Sequence, residues 1–193
     1  MSGAAPPRRA LGWLGQFFRH HLGTVLVCVG VFTAVHFWQA RALPTGEVVD
    51  FQMRLIAPDA PLQVTTLASW RARHPGQTTA IYIWADWCPV CKAMAPNVTA
   101  LAQDHPVLTV AMRSGDAARV QQHLRQRGLN WAVAVDEDGA LAQRLAVSAV
   151  PTFLVLAPDG SVQAPSVGYT TTLGLRARMW WVALRTRVAS ARA

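Results

Sequence analysis

Cysteine is scarce in this chain. Three in 193 residues, Cys28, Cys88 and Cys91, are too few for a disulfide scaffold or an all-cysteine zinc site. Lysine is nearly absent: Lys92 stands alone beside 17 arginines. Charged residues make up 15% of the chain and hydrophobic ones 52%, which excludes a disordered polymer. There is no internal repeat and no low-complexity tract, so solenoid and fibrous architectures are excluded. His74, His105 and His123 are scattered, without the spacing of metal ligands. The length suits one domain with an appendage.

Positive charge is present in excess, at +8. Taken as a total, it invites a nucleic-acid reading. Its distribution removes that reading. Residues 1–42 hold four Arg and no acid, and residues 176–193 hold five Arg and no acid. The 133 residues between carry nine basic and ten acidic side chains and are close to neutral. No nucleic-acid partner is expected.

Leu22 to Trp38 is a run of 17 residues without Asp, Glu, Lys or Arg. That is the short end of what spans a bilayer as a helix. Arg8, Arg9 and Arg19 precede it and only Arg41 follows closely, so the positive-inside rule leaves the N-terminus in the cytoplasm. Trp13, Phe17, Phe18, Phe37 and Trp38 mark the two ends as interfacial belts would. The expected organisation is a cytoplasmic segment 1–21, a signal anchor 22–40, a linker 41–47 and an exported domain 48–193. The competing reading is a cleaved signal peptide, with small residues at Ala40 and Ala42. Both export the domain. Cys28 lies inside the apolar run and reads as a small buried hydrophobe.

Beyond the linker, strand-like and helix-like segments alternate. Strands are expected over Val48–Ile56, Ala80–Ala85, Val107–Met112, Trp131–Val135, Thr152–Leu156 and Ser161–Val167. Helices are expected over Leu67–His74, Pro89–Asp104, Asp116–Arg127, Gly139–Ala146 and from Thr171 or Thr172 to about Val188. Strands separated by helices indicate an α/β fold with right-handed crossovers, closed by a hairpin at Ala157–Gly160. In the final helix, Leu173, Ala177, Trp180, Trp181, Leu184 and Val188 share one side. They are expected to pack on the sheet, with Arg176, Arg178, Arg185, Arg187 and Arg192 as solvated flanks. Contact of this helix with anionic lipid is the other reading.

The stretch with chemical content is Trp84-Ala85-Asp86-Trp87-Cys88-Pro89-Val90-Cys91-Lys92. It follows the most apolar strand and opens a helix. A cysteine at a helix N-terminus meets free N–H groups and the positive end of the macrodipole, which favour thiolate over thiol. Pro89 suits the first helical position. A second cysteine on the first turn can attack a mixed disulfide formed by the first. Cys88 is therefore the candidate nucleophile and Cys91 the resolving thiol. A zinc site would need two further ligands that the exported domain does not supply.

This segment resembles the active-site segment of the thioredoxin superfamily. Pro96 falls where that family kinks its active-site helix, and Val150-Pro151-Thr152 resembles its cis-proline loop. The resemblance covers about Val48 to Val188 and implies a thioredoxin-like fold, a central mixed β-sheet flanked by helices. An extra helix and strand over Asp116–Val135 are similar to the membrane-anchored, TlpA-like branch. Within it, the suppressor-of-copper-sensitivity D type of protein disulfide oxidoreductase is the nearest match. The resemblance implies that Trp87, Val150 and Pro151 contact substrate, and that Pro89 and Val90 tune the dithiol. It implies no cofactor, exported thiol or disulfide proteins as substrates, and a transmembrane thiol reductant as electron source. The implied location is the bacterial inner membrane, with the catalytic domain in the periplasm and the net reaction a reduction.

One position departs from the family. The strand carbon that often bears a buried Asp, the proton acceptor for the resolving cysteine, bears Tyr82 here. The lysine that often pairs with that Asp falls near Met112 or Arg113. Water, Lys92 or Asp86 could take the role, although Asp86 reads as a solvated charge. The alternative function is a copper-linked thiol protein or metallochaperone. It would bind Cu(I) through the same two cysteines, with Met94 one turn on.

Overall fold

The computed structural model describes residues 22–28, 30–31, 46–47 and 50–191. The chain divides into two units, Met1–Gln39 and Ala40–Ala193. In the first, residues 22–28 and 30–31 are helical and exposed. Among the described residues, no helix is long and apolar enough to cross a membrane. Most of the anchor expected over 22–40, and the arginines that orient it, lie outside the described residues.

The second unit contains, in chain order, β1 (Gly46–Glu47), β2 (Gln52–Ala57), β3 (Ala60–Thr66), α1 (Leu67–Ala72), β4 (Thr79–Trp84), α2 (Pro89–Ala102), β5 (Val107–Met112), α3 (Ala117–Arg127), β6 (Val133–Asp136), α4 (Ala140–Arg144), β7 (Thr152–Leu156), β8 (Ser161–Val167) and α5 (Thr172–Ser190). One eight-stranded sheet has the order β1-β8-β7-β4-β5-β6-β2-β3. The pairs β4–β5 and β5–β6 are parallel; the others are antiparallel. The expected mixed sheet is therefore observed, and the helix and strand over Asp116–Val135 appear as α3 and β6.

Helices cover both faces, so every residue of β4 is buried, as expected where a parallel core is doubly covered. On one face, α2, α3 and α5 contribute Met94, Val98, Leu101, Val120, Leu124, Leu175, Met179 and Val182. On the other, α1 and α4 contribute Leu67, Trp70 and Ala142, joined by Leu145 and Val147. Full burial of such side chains stabilises by about 1.5–3 kcal/mol each. Caps fix the helix starts: Thr66, Asp116 and Thr171 each accept an N–H bond three residues on. Asp136, 2% exposed, accepts from the N–H groups of Leu141 and Ala142 and so caps α4 from the preceding strand.

Two expectations need correction. The single first strand expected over Val48–Ile56 is instead β2 in a hairpin with β3 through Pro58 and Asp59. β3 is an edge strand, with Leu62 and Val64 exposed, and no inward alternation announces it. The final helix is turned over. Leu175, Met179 and Val182 are fully buried, while Leu173, Trp180, Trp181, Leu184 and Val188 face outward at 39–78% exposure. Both faces of α5 are apolar, so sequence periodicity selected the wrong one.

Candidate active site

β4 delivers the chain to the turn Ala85–Trp87, and α2 begins immediately after Cys88. Cys88 is the N-cap of α2, in extended conformation, with Pro89 in the first turn. Its Sγ accepts the Cys91 N–H at 3.1 Å, which supplies one orphan donor of the helix start with a sulfur partner. Across the sheet end, the Val150–Pro151 peptide is cis, and Cys88 Sγ lies 3.8 Å from Val150 O as donor. Cys88 and Cys91 are both buried, at 4% and 3% exposure, and both are free thiols. Trp87 and Val90 are exposed beside them. The Trp87 indole N–H donates to Arg113 O at 3.2 Å, so the ring is tethered rather than loose. The residues singled out in sequence thus meet at one end of the sheet.

Beneath the dithiol lies an aromatic floor. Tyr82 is fully buried, and its hydroxyl donates to Cys91 O at 3.4 Å. Its ring meets Trp131 edge-on, and Trp131 meets Trp84 in the same way. His123 of α3 lies over Trp84, with ring centroids 5.5 Å apart. Tyr82, Trp84, Cys91, Lys92, His123 and Arg127 line a cleft of about 10 Å³, the size of a single water. Burial, then the hydrogen bond with Cys88, pushes the Cys91 thiol up to about 12. Burial, with the two sulfurs nearby, raises the Tyr82 phenol above its ordinary range. Burial lowers His123 against the opposing pull of Asp86. His123 did not stand out in sequence, because its neighbours Val120 and Leu124 marked α3 only as a packed helix.

Asp86 is not the solvated charge expected from sequence. Its side chain is 14% exposed and pairs with Arg119 at 2.9 Å, while Oδ1 is buried with no hydrogen-bond partner among the described residues. Arg113, near the position expected for the family lysine, has φ of 49° and supplies the carbonyl that holds Trp87. Met94 is buried in the core, in the same cluster as Cys88 and Cys91. Among the described residues, no three His, Cys, Asp or Glu cluster to hold a metal.

The Redoxin family matches residues 46–174. The chain belongs to the Redoxin family. A thioredoxin-like protein of Haemophilus influenzae is 27% identical over 141 residues, covering 69% of this chain and 84% of its own. The sporulation thiol-disulfide oxidoreductase A of Bacillus subtilis is 24% identical over 110 residues, covering 53% and 67%. The crystal structure of StoA from Bacillus subtilis superposes with a TM-score of 0.53 at 20% identity, covering 67% of this chain and 96% of that one. The fold is thioredoxin-like, and this Redoxin chain is a disulfide oxidoreductase of that kind.

Proposed function

We propose that the chain is a membrane-anchored periplasmic thiol–disulfide oxidoreductase that reduces exported proteins through Cys88 and Cys91. The observation that supports the thiol–disulfide chemistry of this reading is Cys88 Sγ, held between the Cys91 N–H and the Val150 carbonyl. The Cys88 thiolate attacks a substrate disulfide. A Cys88–substrate bond forms, the substrate S–S bond breaks, and the leaving sulfur takes a proton. Cys91 then loses its proton and attacks Cys88, which releases the second substrate thiol and leaves a Cys88–Cys91 disulfide. Two electrons have passed to the substrate, and a transmembrane thiol carrier restores the dithiol.

Trp87 and Val90 offer an exposed apolar rim for substrate, and Val150 and Pro151 flank the attacking sulfur. Pro89 and Val90 set the poise of the pair. The reaction needs no cofactor. Cys88→Ser is expected to abolish insulin reduction, and Cys91→Ser to accumulate stable mixed disulfides identifiable by mass. Retained turnover in Cys88→Ser would overturn the assignment of the nucleophile.

A further inference from the structure

α5 is apolar on the side that faces away from the protein. Leu173, Ala177, Trp180, Leu184 and Val188 recur at helical spacing on the surface opposite Leu175, Met179 and Val182. Trp180 is 65% and Trp181 50% exposed, unusual for side chains of that size in a solvated helix. Basic residues border the stripe. By helical geometry Arg176 and Arg187 lie along one margin, and Arg178 and Arg185 along the other. Arg176 is paired with Asp104. Arg185 and Arg187 make no ion pair among the described residues, and Arg185 lies over the Trp181 ring at 5.9 Å. No acid occurs from residue 176 to 193.

The stripe also has a defined place in the fold. Trp180, Leu184 and Arg187 share a groove with residues 76–78 and Pro158, the segments that precede β4 and follow β7. Cys88 lies beyond the other end of β4, whose six residues span roughly 20 Å. At the groove end, β1 joins the sheet, with Gly46 opposite Val162 just after the β7–β8 turn. The C-terminal half of the stripe and the start of the domain therefore share one end, while α5 begins toward the dithiol end, four residues after Gly168, whose N–H bonds Pro151 O.

We propose that the outer face of α5 lies on an anionic bilayer surface, with Trp180, Trp181 and Leu184 in the interface and the arginines at the headgroups. An interfacial helix combines apolar side chains, tryptophan and basic margins in this way. Arginine stems extend along the apolar surface while their guanidinium groups reach phosphate. Each basic residue near such a surface strengthens attachment roughly five-fold. The bilayer then lies along the length of α5, and the dithiol stands at the margin of that contact where the helix begins. This deepens the anchored reading above and takes from it only the presence of the bilayer.

The test uses the full chain in nanodiscs with brominated acyl chains, which quench nearby tryptophan. Discs of phosphatidylcholine are compared with discs containing roughly one-third phosphatidylglycerol. The quenched component lost in Trp180→Gln/Trp181→Gln reports α5; the component that survives reports Trp13 and Trp38 at the anchor. The expected result is an α5 component in the anionic discs that falls at least by half in the neutral discs and in Arg185→Glu/Arg187→Glu. Equal quenching of wild type and the tryptophan variant overturns the proposal. So does an α5 component indifferent to lipid charge, or self-association in detergent that the tryptophan variant abolishes, which would assign the stripe to a second copy. Loss of the surviving component instead overturns the anchor reading alone. Insulin reduction at the wild-type rate confirms that each variant is folded. Leu184→Gln repeats the test with every tryptophan in place.

Discussion

At the scale of single residues, the two sulfurs are set apart by their surroundings. Cys88 receives a backbone N–H at a helix start, whereas Cys91 is held as a thiol by burial, up to about 12. A group whose folded value is raised above its unfolded one stabilises the fold below the unfolded value and loses that contribution as pH rises toward the folded one. The reduced protein is therefore expected to lose stability from about pH 9 upward. The oxidised protein, which has no Cys91 thiol, lacks that component of the loss. Parallel thermal melts of both forms between pH 8 and 11 measure the difference, and coincident pH profiles would contradict the buried-thiol account. The same burial predicts that resolution of a Cys88 mixed disulfide quickens with pH without levelling off near neutrality, read by single-turnover kinetics. Tyr82 occupies the position where the resemblance leads one to expect a proton-accepting Asp, yet its own phenol is held protonated. Tyr82→Phe keeps the ring against Trp131 and loses one long hydrogen bond, which costs about 1 kcal/mol or less in a denaturant titration. A drop beyond tenfold in the resolution rate would show that the phenol hydroxyl takes part in proton movement.

At the scale of elements, loops are held by side chains from neighbouring helices. Arg71 of α1 donates to the carbonyls of Ala157 and Pro158 and so grips the β7–β8 turn. Gly160 in that turn has φ of +95°, and an added Cβ would meet the Arg71 guanidinium. Gly160→Ala is expected to cost about 1–2 kcal/mol, seen as a lower denaturation midpoint at unchanged slope. Arg119 of α3 similarly reaches the turn before the dithiol through Asp86. Arg119→Ala should cost about 1 kcal/mol or less, because the arginine is largely exposed. Most of these elements were legible in sequence because their signals are local. The β4 run is apolar throughout, Pro89 marks the start of α2, Gly128 the end of α3, and Thr171 the start of α5. β3 was not legible, since an edge strand needs no buried face: Leu62 and Val64 alternate with Gln63 and Thr65 over only four residues, and both apolar side chains are exposed. The orientation of α5 was not legible either. Periodicity reports that a stripe exists, and only the shape of the sheet and α2 selects Leu175, Met179 and Val182 to be covered. Within the site, the dithiol and the proline loop were readable as motifs. The Trp84–His123 stack and the burial of Asp86 depend on α3 crossing behind the turn, which no short motif encodes.

At the scale of the whole molecule, chemistry sits at one end of the sheet and the exposed apolar surface runs along α5. The reductive direction proposed above predicts a reduction potential nearer the thioredoxin value of about −270 mV than the roughly −120 mV of a strong periplasmic oxidant. Equilibration with a glutathione buffer series measures it, and a value at the oxidising end would reverse the proposed electron flow. The sheet order has one further consequence. β1 contributes only two residue pairs to its edge, Gly46 with Val162 and Glu47 with Ser161, while the fully buried β4 is separated from it by β8 and β7. A mechanical load applied through the chain before Gly46 reaches that short ladder first. The ladder can peel away pair by pair before tension reaches the strand that carries the dithiol. β1 thus acts as a weak link that absorbs strain and lets the catalytic end keep its geometry while the molecule is pulled.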